Sequence, residues 1–273
     1  MKSSVLYFFL TIGMLLNVST PARAKMPSWA SESDDCSAGH FHVNDLVSYA
    51  ELKEQRLTAA SIESINPGAN GSIRVHGWNQ AGVLVKACVQ SAAPSDSEAR
   101  AIASQVSVAQ GAGQIQPNGP STDDQHYWNV SYEVWAPATS NLNLEANNGS
   151  IYVETVSGQL RFRTLNGSVH LAGVGGDVDG STTNGSLTID LAGNAWNGTG
   201  LRAETTNGSV HLTLPDNYSA RVEASTVNGR VKVDFPVTIS GEIGKNMSFQ
   251  LGNGGPTIQA KTVNGSVHID RKA

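Results

Sequence analysis

The dipeptide Asn-Gly recurs through the second half of this chain at near-constant spacing, and that spacing limits the fold more than any other feature. It occurs at Asn148, Asn166, Asn184, Asn207, Asn228 and Asn264, at intervals of 18, 18, 23, 21 and 36 residues. The last interval is twice 18, which places a further unit at Asn246, with Met247 in place of Gly. Aligned on Asn, the third residue onward is Ile151, Val169, Leu187, Val210, Val231, Phe249 and Val267. The fifth is Val153, Leu171, Ile189, Leu212, Val233, Leu251 and Ile269. All are apolar, in a chain that is only 39% hydrophobic. Between them stand Tyr152, His170, Thr188, His211, Lys232, Gln250 and His268, each suited to water. This period-two alternation marks a strand with one buried face.

A second alternation lies upstream. Six before Asn come Leu142, Leu160, Val178, Leu201, Val222, Ser240 and Ile258; four before come Leu144, Phe162, Gly180, Ala203, Ala224, Glu242 and Ala260. Two before, Thr stands at Thr164, Thr182, Thr205, Thr226 and Thr262. Each unit therefore reads strand, Asn-Gly corner, strand, with Gly expected to supply a positive φ. The longer intervals carry extra loop at Ala192–Gly200 and at Pro215–Asn217.

Two all-β architectures fit. Asn-Gly between alternating strands is a hairpin signal, and hairpins would build an antiparallel β-sandwich. A fixed period with equivalent residues at equivalent places is the mark of a β-solenoid, a parallel β-helix-like stack with one coil per unit. The outward residues five before Asn favour the solenoid. Arg161, Asp179, Arg202 and Glu223 alternate in sign over consecutive units, which stacking would turn into a ladder of opposite charges. The solenoid is expected over 139–273. The final Arg271 and Lys272 would then hinder edge-to-edge pairing at its far end.

Residues 25–138 read as a β-rich N-terminal cap. Strands are expected at Thr58–Ile65, Asn70–Val75, Gly82–Val89, Gln105–Gln110 and Tyr127–Trp135. Ser95-Asp96-Ser97-Glu98 is a capping box that opens a short helix running to about Gln105. Trp78, Trp128 and Trp135 fall in strands and are expected in the core.

Residues 1–24 read as a secretory signal: Lys2, an apolar stretch Val5–Val18, then Ala22-Arg23-Ala24 as the cleavage pattern. The mature chain would start near Lys25 and be exported, to the periplasm, the medium or the cell surface. No later stretch could span a membrane as a helix. In an oxidising compartment Cys36 and Cys88 suggest a disulfide, the alternative being two separate small core residues. The net charge of −5 argues against nucleic-acid binding.

The runs Asn148-Gly149-Ser150-Ile151 through Asn264-Gly265-Ser266-Val267, preceded by Gly71-Ser72-Ile73-Arg74-Val75-His76-Gly77-Trp78, resemble the bacterial putative-adhesin domain family of unknown function. The likeness covers most of residues 58–273. It implies an N-terminal β portion and Asn-Gly-Ser-Val repeats behind a signal peptide, and it brings no catalytic residues. The chain departs from the pattern at Ser240, Glu242 and Met247.

No nucleophile elbow, zinc-protease motif, phosphate-binding loop or Cys-x-x-Cys is present, so no catalytic, metal or cofactor set is assigned. His170, His211 and His268 share a repeat position, but Thr188 separates the first two by a strand, too far to share an ion, and the row reads as a solvated strand face. The expected function is a non-enzymatic cell-envelope binding or scaffold module, displaying a solenoid face to a protein or glycan. A carbohydrate-active β-helix enzyme and a component of an envelope stress or sensing system are the alternatives. The candidate surface is the row Tyr152, His170, Thr188, His211 and Lys232, flanked by Trp196 in the inserted loop. The other reading of Trp196 is an indole folded back over the coils.

Overall fold

The computed structural model describes residues 36–57, 64–108, 113–238, 240–242 and 244–272. The expected leader at 1–24, the mature start near Lys25 and most of the strand expected from Thr58 lie outside the described residues. The strands are β1 (Val47–Leu57), β2 (Ser64–Ile65), β3 (Ile73–Trp78), β4 (Val83–Ala93), β5 (Gln114–Ile115), β6 (Tyr127–Pro137), β7 (Leu142–Asn148), β8 (Ile151–Glu154), β9 (Gln159–Asn166) and β10 (Val169–Ala172). They continue with β11 (Gly176–Asn184), β12 (Leu187–Asp190), β13 (Gly198–Asn207), β14 (Val210–Leu214), β15 (Ala220–Asn228), β16 (Val231–Val233), β17 (Ser240–Glu242), β18 (Asn246–Leu251), β19 (Thr257–Asn264) and β20 (Val267–Arg271). Helix α1 (Asp96–Gln105) lies between β4 and β5.

The protein is an all-β solenoid. Each Asn-Gly unit sends its first strand to one sheet and its second to the other. The first sheet runs β1-β4-β6-β3-β8-β10-β12-β14-β20-β16; the second runs β17-β18-β15-β19-β13-β11-β9-β7-β2-β5. Val169–Leu171 and Leu187–Ile189 are parallel neighbours in register, so the corner joins two sheets and is not a hairpin. Twelve of the fourteen alternating positions explain the arrangement; Phe249 and Leu251 lie in β18 of the second sheet. Ile151, Val169, Leu187, Val210 and Val267 are fully buried and face Leu144, Leu160, Ile258 and their equivalents across a dry interior. Each such aliphatic side chain contributes about 1.5–3 kcal/mol.

Coil order in space is not coil order in sequence. β19 lies between β13 and β15, and β20 lies between β14 and β16. The last coil is thus inserted between the Asn207 and Asn228 coils. This corrects the expected position of Arg271 and Lys272: Arg271 ends the internal strand β20 and Lys272 follows it, while the edge of the sheet at this end is β16. It also corrects the expected coil at Asn246. β18 runs antiparallel to β15 in the second sheet, pairing Met247 with Ala224, and β17 pairs antiparallel with β18. The 36-residue interval therefore holds an antiparallel end piece. Ser240, Glu242 and Met247, the departures from the repeat, all fall in it.

The stack begins earlier than residue 139. β2 pairs in parallel with β7 and β3 with β8, and Asn70 bridges to Asn148, so residues 64–78 form a coil of the same stack. Beyond them β6 pairs in parallel with β3, and β4 and β1 then extend the first sheet in antiparallel pairs. Helix α1 packs on the side of β1 and β4 where the second sheet has no strand. Ser95 caps it by accepting from the Glu98 N–H, and Ala99, Ile102 and Ala103 are buried. Lys53 donates to the carbonyls of Ala103 and Val106 at 2.7 and 2.8 Å, satisfying the helix C-terminus. The Cys36–Cys88 disulfide, with Cα atoms 5.3 Å apart, ties the segment before β1 to β4.

The corner chemistry differs from the expectation. Of the corner glycines, Gly71 and Gly265 have positive φ, at +140° and +158°, whereas Gly149, Gly167, Gly185, Gly208 and Gly229 do not. They are needed because coils approach too closely there for a side chain: a Cβ at Gly185 would lie 2.0 Å from the carbonyl oxygen of Gly167. Thr182 Oγ1 donates to that same carbonyl at 2.8 Å, and Thr164, Thr205, Thr226 and Thr262 repeat the bond. This accounts for the buried Thr two residues before Asn. The Asn side chains form an amide ladder in the order Asn70, Asn148, Asn166, Asn184, Asn207, Asn264 and Asn228, each Nδ2 donating to the Oδ1 of the Asn before it at 2.7–3.0 Å.

Replacing Gly185 with Ala should cost about 2–3 kcal/mol, the scale of forced overpacking, because the atom met is backbone. Gly193→Ala is the control. Gly193 has φ +76° and nothing within 4 Å of an added Cβ, so only the left-handed backbone is penalised, by about 1 kcal/mol. Urea unfolding that gave equal losses for the two variants would remove close approach as the reason for the corner glycines.

Candidate functional site

Strand alternation turns one residue of each coil outward between its two buried neighbours, and stacking aligns these residues across the first sheet. The observed row is Arg74, Tyr152, His170, Thr188, His211, His268 and Lys232, each the register partner of the next. The expected row is present, with one insertion that sequence order could not show: His268 separates His211 from Lys232.

The rings in this row stack on one another. Tyr152 and His170 have centroids 5.2 Å apart and planes within 20°. The Arg74 guanidinium lies over the Tyr152 ring at 4.9 Å. His211 and His268 stack at 5.0 Å with planes within 8°. Ring faces are engaged with neighbours, so the row offers ring edges to solvent: a phenol hydroxyl and imidazole nitrogens. Burial pushes the His170 pKa below its usual value against the opposing charge of Asp190, so this ring is neutral at pH 7. The Lys232 ammonium sits 2.9 Å from Asp234, and that hydrogen bond raises its pKa.

Two residues further along the strands runs a more acidic row, in which Glu154, Ala172, Asp190, Thr213 and Asp270 are register partners. Burial and a hydrogen bond with Asp234 push the Asp270 carboxyl above the ordinary range. The hydrogen bond from Lys232 holds Asp234 below it.

Trp196 does not belong to this surface. It is 5% exposed, and its Nε1 donates to the Gly176 carbonyl at 3.1 Å. The inserted loop is long enough to fold the indole back into the core, where its area is worth more than in water. The expected charge ladder on the second sheet is also replaced. Register does place Asp179 between Arg161 and Arg202, but Arg161 pairs with Asp177 at 2.7 Å and Arg202 with Glu204 at 3.0 Å. Gln259 of the inserted coil separates Arg202 from Glu223, which pairs with Arg221 at 3.1 Å. That face is occupied by local ion pairs, unlike the row of rings.

Sequence reading missed a second cluster on the ring-bearing face. His76 is 6% exposed and bridges two strands. Its Nε2 lies 2.9 Å from Glu133 Oε1, and its Nδ1 contacts Glu154 Oε1. Trp135 stacks on it at 4.9 Å, and Lys86 lies over the Trp135 ring at 5.1 Å. Trp135 is therefore half-buried on the outer face and is not a core residue as expected. Burial pulls the His76 pKa down, but the hydrogen bonds and charges of Glu133 and Glu154 outweigh it and the net shift is upward. The only available signal was His76-Gly77-Trp78 within a matched repeat, which does not name its carboxylate partners.

Among the described residues no three His, Cys, Asp or Glu side chains are grouped to hold a metal ion. Among them, too, no helix is long and apolar enough to cross a membrane.

Residues 66–270 match the family described as Toastrack DUF4097. No curated protein matches the chain. Solved structures similar to it include a "putative cell adhesion protein" of Clostridium sporogenes, 13% identical, covering 83% of this chain and 100% of that one, with a TM-score of 0.40. A "putative adhesin" of Bacteroides fragilis is 12% identical over 81% of this chain and 97% of that one, with a TM-score of 0.38. A "putative lipid binding protein" of Parabacteroides distasonis is 8% identical over 81% and 97%, with a TM-score of 0.34.

Proposed function

This chain belongs to the Toastrack DUF4097 family, and from that premise we propose that it is an exported, non-enzymatic cell-envelope module that holds a protein or glycan partner on the outward face of its first sheet. The observation that carries this reading is the unbroken row from Arg74 to Lys232, in register across parallel strands. A row of polar ring edges at strand spacing, about 4.8 Å, suits an extended ligand lying across the coils. Because the ring faces are engaged, recognition would run through hydrogen bonds and not through stacking of a sugar on an open aromatic.

Export rests on the leader pattern at 1–24, and the proposed binding face joins the coil at 64–78 to the repeat region at 139–273. A glycan array and fractionated envelope extracts provide the binding screen. The double variant His170→Ala/His211→Ala should lose partner binding at least tenfold. Both side chains are exposed, so stability should change by no more than about 0.5 kcal/mol. Unchanged binding would remove the row as the site. Release of reducing sugar from any polysaccharide would replace the reading with the enzymatic one.

A further inference from the structure

We propose that His211 and His268 form a binding site for a divalent transition-metal ion, with water completing its coordination. The residues lie 57 positions apart and belong to coils that sequence order would separate. Insertion of the last coil makes them direct partners on adjacent parallel strands. Their rings are within 8° of parallel, with centroids 5.0 Å apart, on the outward side of the sheet. Two imidazole nitrogens on one ion at about 2.0–2.1 Å sit roughly 3 Å apart. Reaching that from a stacked pair requires each ring to tilt about its own side-chain torsions so that the nitrogens converge.

The surroundings favour a cation. Asp270 follows His268 by two residues on the same face, and the charges of Asp270 and Asp234 both act on His268. Lys232, the neighbour on the β16 side, has its ammonium engaged with Asp234 at 2.9 Å. Thr188, on the other flank, is uncharged. Imidazole suits zinc, copper and nickel. The site holds two protein ligands, in keeping with the absence of any three-donor group among the described residues. Tyr152 and His170 stack in the same way but offer one imidazole, which makes them an internal comparison.

Copper(II) added to the full chain at pH 7.5 is the probe, followed by calorimetry and electron paramagnetic resonance. One ion per chain with hyperfine structure from two imidazole nitrogens is expected, and zinc(II) should compete. His211→Gln and His268→Gln should each weaken copper binding at least tenfold, while His170→Gln should leave it unchanged. Lowering the pH to 5 should release the ion, since protonated imidazole does not ligate. The wild-type spectrum tests the site without any variant. A spectrum with one imidazole nitrogen or none, or equal weakening by His170→Gln, would overturn the proposal.

Discussion

A chain ending before Thr257 should give no cooperatively melting protein. The lost residues form β19 and β20, each with strand neighbours on both sides. The cut removes Ile258, Val267 and Ile269, all fully buried. At about 1.5–3 kcal/mol each, these three alone approach the total stability of an ordinary domain, about 5–15 kcal/mol. It also uncovers Leu201 and Val210 on one side and Val222 and Val231 on the other, and breaks the Asn ladder at Asn264. In a stack assembled in chain order, the same cut would trim one end and leave the rest standing. Thermal melting followed by circular dichroism decides between them. A sharp transition near the wild-type temperature would mean that the inserted coil is not essential.

The second large effect is expected at His76. Its removal leaves Glu133 and Glu154 facing each other with side-chain exposures of 11% and 18% and without the ring between them. Breaking a buried ionic pair from one side costs about 3–5 kcal/mol, and His76→Ala should fall in that range. The pH dependence has a definite sign. The folded pKa of His76 lies above its usual value, so the ionic part of its contribution is complete below about pH 6.5 and is lost as pH rises through the folded value. The stability gap between wild type and His76→Ala should therefore be widest near pH 6 and narrower at pH 9. A gap that stayed constant between pH 6 and pH 9 would show that His76 acts through packing against Trp135 alone.

Much of the fold was legible because apolar residues facing a dry interior must recur with the period of the strand. Ile151 to Ile269 gave away both the strands and the stacking, and Ser95 to Glu98 gave away the helix start. Coil order was not legible. Every Asn-Gly coil carries the same corner and the same buried pair, so any coil can stack on any other; which neighbour it meets depends on long-range closure. The same limit hid the contact between His211 and His268. The 36-residue interval misled because twice 18 resembles two coils, although Ser240 and Glu242 at apolar positions signalled a break. Trp196 was ambiguous because loop composition does not say which way an indole turns. The His76 cluster was invisible because its partners, Glu133 and Glu154, come from strands far away in sequence.

The interleaved last coil bears on how the protein is made and how such a chain can evolve. A repeat array stacked in chain order can settle coil by coil as it leaves the ribosome or the export channel. Here the Asn228 coil has only the antiparallel β18 beside it until β19 and β20 arrive, so its junction with the Asn207 coil forms after both have been made. A copy without β19 and β20 leaves the apolar faces of β13, β14, β15 and β16 uncovered. Between Asn148 and Asn207 sequence neighbours are also spatial neighbours, so a coil duplicated there meets the same partners as the coil it copies.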